Sequence, residues 1–304
     1  MISVAVAGST KYTTLCVTSL ASENDFALTT VLTPEAKPSG RKKILQKNPL
    51  AQFAEQADIP TIAIASNITN ETKREVEQHT RPDFLLVVDF GYWIPQWLQV
   101  WPKIKSLNIH PSKLPRWRGS SPGQFVLLHG EKTSAVTLIE VISKLDAGPL
   151  YWQQDFTIQP TWTQTEYYGH AFSLVAKQLP DLLRQIYSGK LQPTPQPTDS
   201  PTPIARKLTR DDGFVPWQTI SDTMDKLPPS LEAATRAYSP WPQLWTEVPT
   251  RKGPTRMKLL PHNKVQLAGQ KPATWKQIQT AILEQLLLCG RLVMCGHTRA
   301  LEHA

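Results

Sequence analysis

Residues 83–89, Asp83-Phe84-Leu85-Leu86-Val87-Val88-Asp89, form the run on which the fold turns. Five consecutive apolar residues closed at both ends by aspartate read as a buried strand. Working toward the N-terminus, residues 26–32 give a second strand, and residues 2–7 give a third that ends at Gly8. Toward the C-terminus, residues 105–110 give a fourth. Between them, residues 11–20, 49–57 and 71–78 have helical composition. Strands alternating with helices predict an α/β fold: a mostly parallel, Rossmann-like sheet with helices on both faces. Ligands of such sheets sit outside the carboxyl ends of the strands, so the loops after Val88 and Ile109 are the first places to look for chemistry.

Further along, residues 135–142 and 150–158 read as paired strands around the turn 143–149, and residues 163–187 as a long helix. Then composition shifts. Residues 190–203 hold Pro193, Pro195, Pro197, Pro201 and Pro203 among Thr and Gln, the signature of a stiff, extended linker. That divides the chain into a first domain at 1–189, a linker at 190–203 and a second domain at 204–275. Short apolar stretches in the second domain, broken by Pro, Gly and Asn, favour a small β-barrel, OB-like in class, or a sandwich. Residues 276–304 read as a helical or frayed tail, with Ile278, Ile282, Leu283, Leu286 and Leu287 on one helical face.

The chain has 304 residues, enough for two domains, and 40% of them are hydrophobic, which excludes wholesale disorder. No run reaches 18 consecutive apolar residues, so no spanning helix and no membrane partner are expected. Cys16, Cys289 and Cys295 are too few for a disulfide framework and suit a reducing cytoplasm. The seven histidines are scattered, so no metal site is expected. The net charge of +8 is uneven: the first 189 residues hold 18 basic against 16 acidic side chains, the last 115 hold 15 against 9. A second half at +6 suits an anionic partner, nucleic acid first. Within the first half, Lys37, Arg41, Lys42, Lys43 and Lys47 crowd residues 33–48 with a single acid, Glu35, a second polyanion candidate.

Asn108-Ile109-His110 closes the fourth strand. Side chains at i and i+2 share a face, so an amide donor and a group titrating near neutrality project together past the sheet edge. Such a pair suits an oxyanion and a moving proton, although a polar strand end satisfied by local turns would show the same spacing. The residues that follow, Pro111-Ser112-Lys113-Leu114-Pro115-Arg116-Trp117-Arg118-Gly119, build a rigid loop beside it. Asp146, in Leu145-Asp146-Ala147-Gly148, lies 36 residues after His110 at a turn between strands, where it can reach the histidine or hold a water.

Asn-x-His, then Ser-x-Leu-Pro-x-x-Arg-Gly, then Leu-Asp-x-Gly resembles the folate-dependent formyltransferases. Three further segments are similar to the members that formylate an aminoacyl-tRNA: Pro38-Ser39-Gly40-Arg41-Lys42-Lys43, the stretch 207–217, and Arg236-Ala237-Tyr238-Ser239-Pro240-Trp241-Pro242. The resemblance covers about residues 1–275. It implies formyl transfer from 10-formyltetrahydrofolate to the α-amino group of methionine on initiator tRNA, by direct amine attack and without metal. It implies Asn108 and His110 as oxyanion stabilisers and Asp146 as the group that orients His110 and helps remove the proton. It implies a folate site at Val87, Val88, Phe90, Gly91, Ser112, Lys113, Leu114 and Pro115; Lys113 stands where the family has an apolar residue, within reach of a phosphate or the anionic glutamate tail of folate. Lys37, Arg41, Lys42, Lys43 and Lys47 would hold tRNA, and a monomer is the family expectation. The chain departs from the family at Ser9-Thr10, Asp89, Lys113 and Lys144. A formyltransferase for a small amine, either a ribonucleotide or a nucleotide-linked amino sugar, and a non-catalytic tRNA-binding relative are the competing readings. The intact Asn, His and Asp argue against the second of these, and the basic loop and basic second domain against the first.

Overall fold

The computed structural model describes residues 1–39, 44–250, 253–279 and 282. In chain order its elements open with β1 (Ile2–Gly8), α1 (Lys11–Ala21), β2 (Phe26–Pro34), β3 (Lys37–Ser39), β4 (Ile44–Gln46), α2 (Pro49–Gln56), β5 (Thr61–Ile64), α3 (Asn70–Val76), β6 (Phe84–Val88), α4 (Gln96–Gln99) and β7 (Lys105–His110). They continue through α5 (Pro122–Leu128), β8 (Thr133–Glu140), β9 (Leu150–Thr157) and α6 (Gln164–Tyr187).

Seven strands form one sheet in the order β5-β2-β1-β6-β7-β8-β9. The first five are parallel; β8 pairs antiparallel with both β7 and β9, so β8 alone runs against the rest of this sheet. The mostly parallel sheet expected from the sequence is therefore present. All five residues of β6 are buried, as a strand covered on both faces must be. The chain leaves β1 toward β2 on one side and returns to β6 on the other, which makes the carboxyl ends of β1 and β6 a topological switch point. Gly8 is needed there, because a Cβ would lie 2.5 Å from the Val88 carbonyl oxygen. Ser9 and Thr10 leave that loop well formed. Thr10 caps α1 in a reciprocal capping box with Thr13, and the Thr13 hydroxyl donates to the Val88 carbonyl at 2.8 Å.

Several short elements of the first 189 residues were not legible in advance, among them α4, α5 and three strands. β5 is a four-residue edge strand with alternating burial, too short to stand out from its flanks. Residues 33–48, read as a loop, contain the β3–β4 hairpin.

The proline-rich stretch corrects the expected boundary. It is not a spacer: the chain divides into one unit of Met1–Val126, Lys132–Ile158 and Glu166–Lys207, and a second made of Leu127–Glu131, Gln159–Thr165 and the chain from Leu208. Thr194 pairs with Leu150 through two backbone bonds of 2.8 Å. Ser200 donates to the Pro115 carbonyl, the Trp117 amide donates to Thr202 Oγ1, and the Ala205 amide donates to the Arg118 carbonyl. Prolines keep the stretch extended, and the amides and hydroxyls between them fasten it down.

The second unit holds α7 (Trp217–Ile220), α8 (Pro229–Ala237) and the strands β10 (Leu244–Val248), β11 (Thr255–Leu260), β12 (Lys264–Leu267) and β13 (Ala273–Thr274). The strands form an antiparallel meander in that order. Among the described residues the expected OB-like barrel is matched only as far as this sheet. Leu244, Thr246 and Val248 of β10 and Met257 and Leu259 of β11 are buried, the period of two that one covered face requires. Of the expected terminal helix, residues 275–279 are helical; its remainder, apart from Ile282, lies outside the described residues, as do Cys289 and Cys295.

Candidate active site

Adjacent strands set the register of the site. Asn108 of β7 stands between Val87 of β6 and Ile139 of β8, and His110 lies opposite Thr137. The structure brings Asn108, His110 and Asp146 together. Asn108 Nδ2 donates to Asp146 Oδ1 at 3.3 Å, and His110 Nδ1 is 3.6 Å from Asp146 Oδ2. The Gly119 amide donates to that same Oδ2 at 2.8 Å. His110 is almost wholly buried, and Asp146 keeps about a tenth of its side chain exposed.

His110 Nε2 sits 3.0 Å from the Trp117 carbonyl oxygen. A carbonyl only accepts, so Nε2 carries the proton. That leaves Nδ1, turned toward Asp146 at slightly more than hydrogen-bond distance, as the nitrogen open to chemistry. Two residues that frame the imidazole, Trp117 (φ 58°) and Asp146 (φ 48°), have left-handed backbone. Such conformations are costly for side-chain-bearing residues and persist where the surroundings over-determine them.

The Asp146 turn is clamped from behind. Gln196 Nε2 donates to the carbonyls of Asp146 (3.0 Å) and Gly148 (2.6 Å), while its Oε1 accepts from Arg118 Nη2 at 2.9 Å. The buried Arg118 also donates to the carbonyls of Pro197 and Thr198. Gly148 is fixed by close approach: an added Cβ would meet the Glu140 carbonyl oxygen at 1.8 Å.

Beside Asn108 and Asp146 opens a cavity of about 110 Å³, lined by Val87, Phe90, Tyr92, Trp93, Ile94, Ile139, Glu140, Val141, Ile142 and Leu145. Apolar and aromatic walls meeting a few convergent polar groups suit a planar heteroaromatic ligand. Of the residues expected around folate, Val87 and Phe90 line this cavity. The others sit elsewhere. Val88 is buried in the sheet; Gly91 is exposed and off the wall. Ser112 is fully buried, donating to the Arg116 carbonyl, and Leu114 and Pro115 offer their carbonyls to Gln153 and Ser200. Lys113 is paired with Asp155, so it does not reach for an anion here. The residues missed were Tyr92, Trp93 and Ile94 and the apolar members of the 141–145 turn; their signal was hydrophobicity in segments whose Gly, Pro and Lys read as loop.

At the neighbouring ends of β1 and β6, Tyr12 stacks on Phe172 with centroids 5.1 Å apart. Burial pushes the Tyr12 phenol up to about 12, and the Asp89 carboxylate adds to the shift, so Tyr12 stays a neutral hydroxyl. In the basic segment, Lys37 is exposed, Lys47 is engaged with Glu55 at 2.6 Å, and Arg41, Lys42 and Lys43 lie outside the described residues. Among the described residues no group of His, Cys, Asp and Glu is placed to hold a metal ion, and no helix is long and apolar enough to cross a membrane.

Comparison with known proteins places this geometry. The family model described as formyl transferase matches residues 1–183. A methionyl-tRNA formyltransferase of Acidithiobacillus ferrooxidans is 31% identical over 216 residues, 71% of this chain and 66% of the relative, just under two thirds of its length. One from Rickettsia bellii is 30% identical over 238 residues, 78% of this chain and 74% of the relative. Among solved structures, the N-formyltransferase of Helicobacter canadensis in complex with folinic acid and dTDP-3-aminofucose superposes with a TM-score of 0.57 at 15% identity, covering 88% of this chain and 96% of that one.

Proposed function

The chain belongs to the formyl transferase family, and on that premise we propose that it moves a formyl group from 10-formyltetrahydrofolate to the α-amino group of methionyl initiator tRNA. The observation that carries the chemistry is the Asn108–Asp146–His110 cluster at the mouth of an apolar, aromatic cavity. The cavity residues would hold the pterin ring of the donor, with its formyl carbon toward Asn108. The acceptor amine attacks that carbon, and the bond from carbon to the folate nitrogen breaks. Asn108 Nδ2 donates to the oxyanion that forms, which a preorganised donor in a dry site does efficiently. His110 Nδ1, backed by Asp146, takes part in carrying the amine proton, and as a cation adds a second donor to the oxyanion. Asp146 holds both partners: Oδ1 orients the Asn108 amide, and Oδ2 faces the imidazole.

The acceptor rests on the relatives' names and on charge. Both curated relatives are methionyl-tRNA formyltransferases, and the second half of this chain carries +6. Arg41, Lys42 and Lys43, with Lys37, would meet the acceptor end of the tRNA, and the second unit would meet its body; translation initiation in a cytoplasm is the setting this implies. The second reading, a small amine linked to a nucleotide, is favoured only by a shared fold, that of the Helicobacter enzyme and similar structures. Purified protein incubated with 10-formyltetrahydrofolate and charged initiator tRNA is expected to yield formyl-methionyl-tRNA. Folded protein that binds folate but leaves the charged tRNA unmodified sinks this reading and promotes the second.

A further inference from the structure

The face of the second unit's sheet that is turned away from its core carries a built cationic and aromatic site. β10 and β11 set Trp245 opposite Lys258 and Glu247 opposite Arg256. Because Leu244, Thr246, Met257 and Leu259 take the buried side, Trp245, Arg256 and Lys258 share the other. The Arg256 guanidinium lies over the Trp245 ring, 3.7 Å from its centroid. The segment 240–243 and Arg210 complete a cavity of about 160 Å³. Trp245 Nε1 donates to the Arg210 carbonyl, which fixes Arg210 at the rim. Trp241, another of its lining residues, is 48% exposed. Among the described residues three cations line the cavity and no carboxylate does; Glu247, across from Arg256 in register, lies outside the lining.

We infer that this cavity takes one unstacked nucleotide of an RNA chain, its phosphate held by Arg256, Lys258 and Arg210 and its base laid on Trp241. A guanidinium stacked by one face on an indole keeps its in-plane N–H edge free, and that edge matches phosphate oxygens. An exposed indole beside such an edge offers a base a stacking platform, the pairing by which single strands are held without regard to sequence. A duplex keeps its bases inside the stack and would meet these cations through phosphates alone, leaving Trp241 idle. This inference rests on the reading of the acceptor as an RNA only for the kind of chain that supplies the nucleotide.

The test titrates the full chain with a five-nucleotide unstructured RNA, a blunt RNA duplex, a free nucleoside monophosphate and inorganic phosphate, following tryptophan fluorescence and calorimetry. The single strand is expected to bind tightest, with Trp241→Ala weakening it tenfold or more and Arg256→Gln weakening it while flattening its salt dependence. Folate binding and circular dichroism of both variants should match the parent. Duplex bound as tightly as single strand, or a Trp241→Ala variant that binds RNA normally, overturns the inference. So does a free monophosphate bound more tightly than the oligonucleotide, which makes this a small-ligand site. Formylation of charged tRNA by the parent separates the two proposals. Trp241-dependent RNA binding without formylation leaves this site standing and removes the acceptor reading. Formylation with an unchanged tRNA KM in Trp241→Ala does the reverse.

Discussion

Gln196 and Asp146 are 50 residues apart in the chain, yet the Gln196 side-chain amide donates to the Asp146 carbonyl at 3.0 Å. The same side chain accepts from the buried Arg118. One glutamine thus fastens the Asp146 turn, the loop after β7 and the proline-rich stretch at a single point. Gln196→Ala is expected to lower kcat about tenfold with little change in folate KM, and to cost about 1–3 kcal/mol in stability because Arg118 and two carbonyls lose partners. Gln196→Glu separates the two effects: a carboxylate still accepts from Arg118 but cannot donate to Asp146 and Gly148. It should keep most of the melting temperature and still lose kcat.

Removing the amide donor tests the chemistry. Asn108→Ala is expected to reduce kcat by ~10²–10³ while folate still binds. His110→Ala should do the same. If Asn108→Ala turned over at the parental rate under saturating substrates, the oxyanion assignment would fail.

Trp93 reports on the cavity. It lines the wall yet is 58% exposed, so Trp93→Ala should fold normally. Losing one aromatic face is worth about 0.5–1.5 kcal/mol, so the folate Kd should rise about two- to tenfold with kcat at saturation preserved. An unchanged Kd would move the folate site elsewhere.

Gly148 tests the close approach behind the turn. Gly148→Ala drives a methyl into the Glu140 carbonyl, and a shift of β8 or of the turn must follow. A loss of about 1–3 kcal/mol in denaturant unfolding is expected. Activity should fall with it, since the displaced segment carries Asp146.

Acid stability has a local source. Burial tends to push the Asp83 carboxyl up, but Ser3 N and Oγ donate to its Oδ2 at 2.8 and 2.6 Å and Lys103 adds to Oδ1, so the net shift is downward. A carboxyl lowered by folding contributes stability fully above its unfolded pKa, and that stability is lost as the pH falls through the lowered folded value. Asp83→Asn should therefore be less stable than the parent at neutral pH, with the two converging below the ordinary carboxylate range. Chemical denaturation across that range measures it.

The sheet was readable because buried parallel strands are written as continuous apolar runs, of which 84–88 is the plainest. Asn108, His110 and Asp146 were readable because a motif spacing pointed to them. The cavity walls at Val141, Ile142 and Leu145 were not, because a turn between strands is expected to be polar, and apolar residues there acquire meaning only once β7 and β8 stand side by side. Lys113 misled for the opposite reason: a lone cation beside a site suggests a ligand, while its partner Asp155 lies 42 residues away. The proline run misled most. Composition says stiff and extended, which is correct, but it does not say that Gln196, Ser200 and Thr202 are spaced to bond a surface already formed.

That fastening has a bearing on how the chain can be divided. A fragment ending at residue 189 would strip the wrapping from Arg118 and uncover the back of the Asp146 turn, so the smallest portion that keeps its own catalytic geometry runs through Lys207. Anyone exchanging the chain from Leu208 onward would have to splice after that lysine, leaving the second unit's Leu127–Glu131 and Gln159–Thr165 in place. The proline segment travels with the first unit rather than with the chain from Leu208, a clasp sewn to the garment it closes.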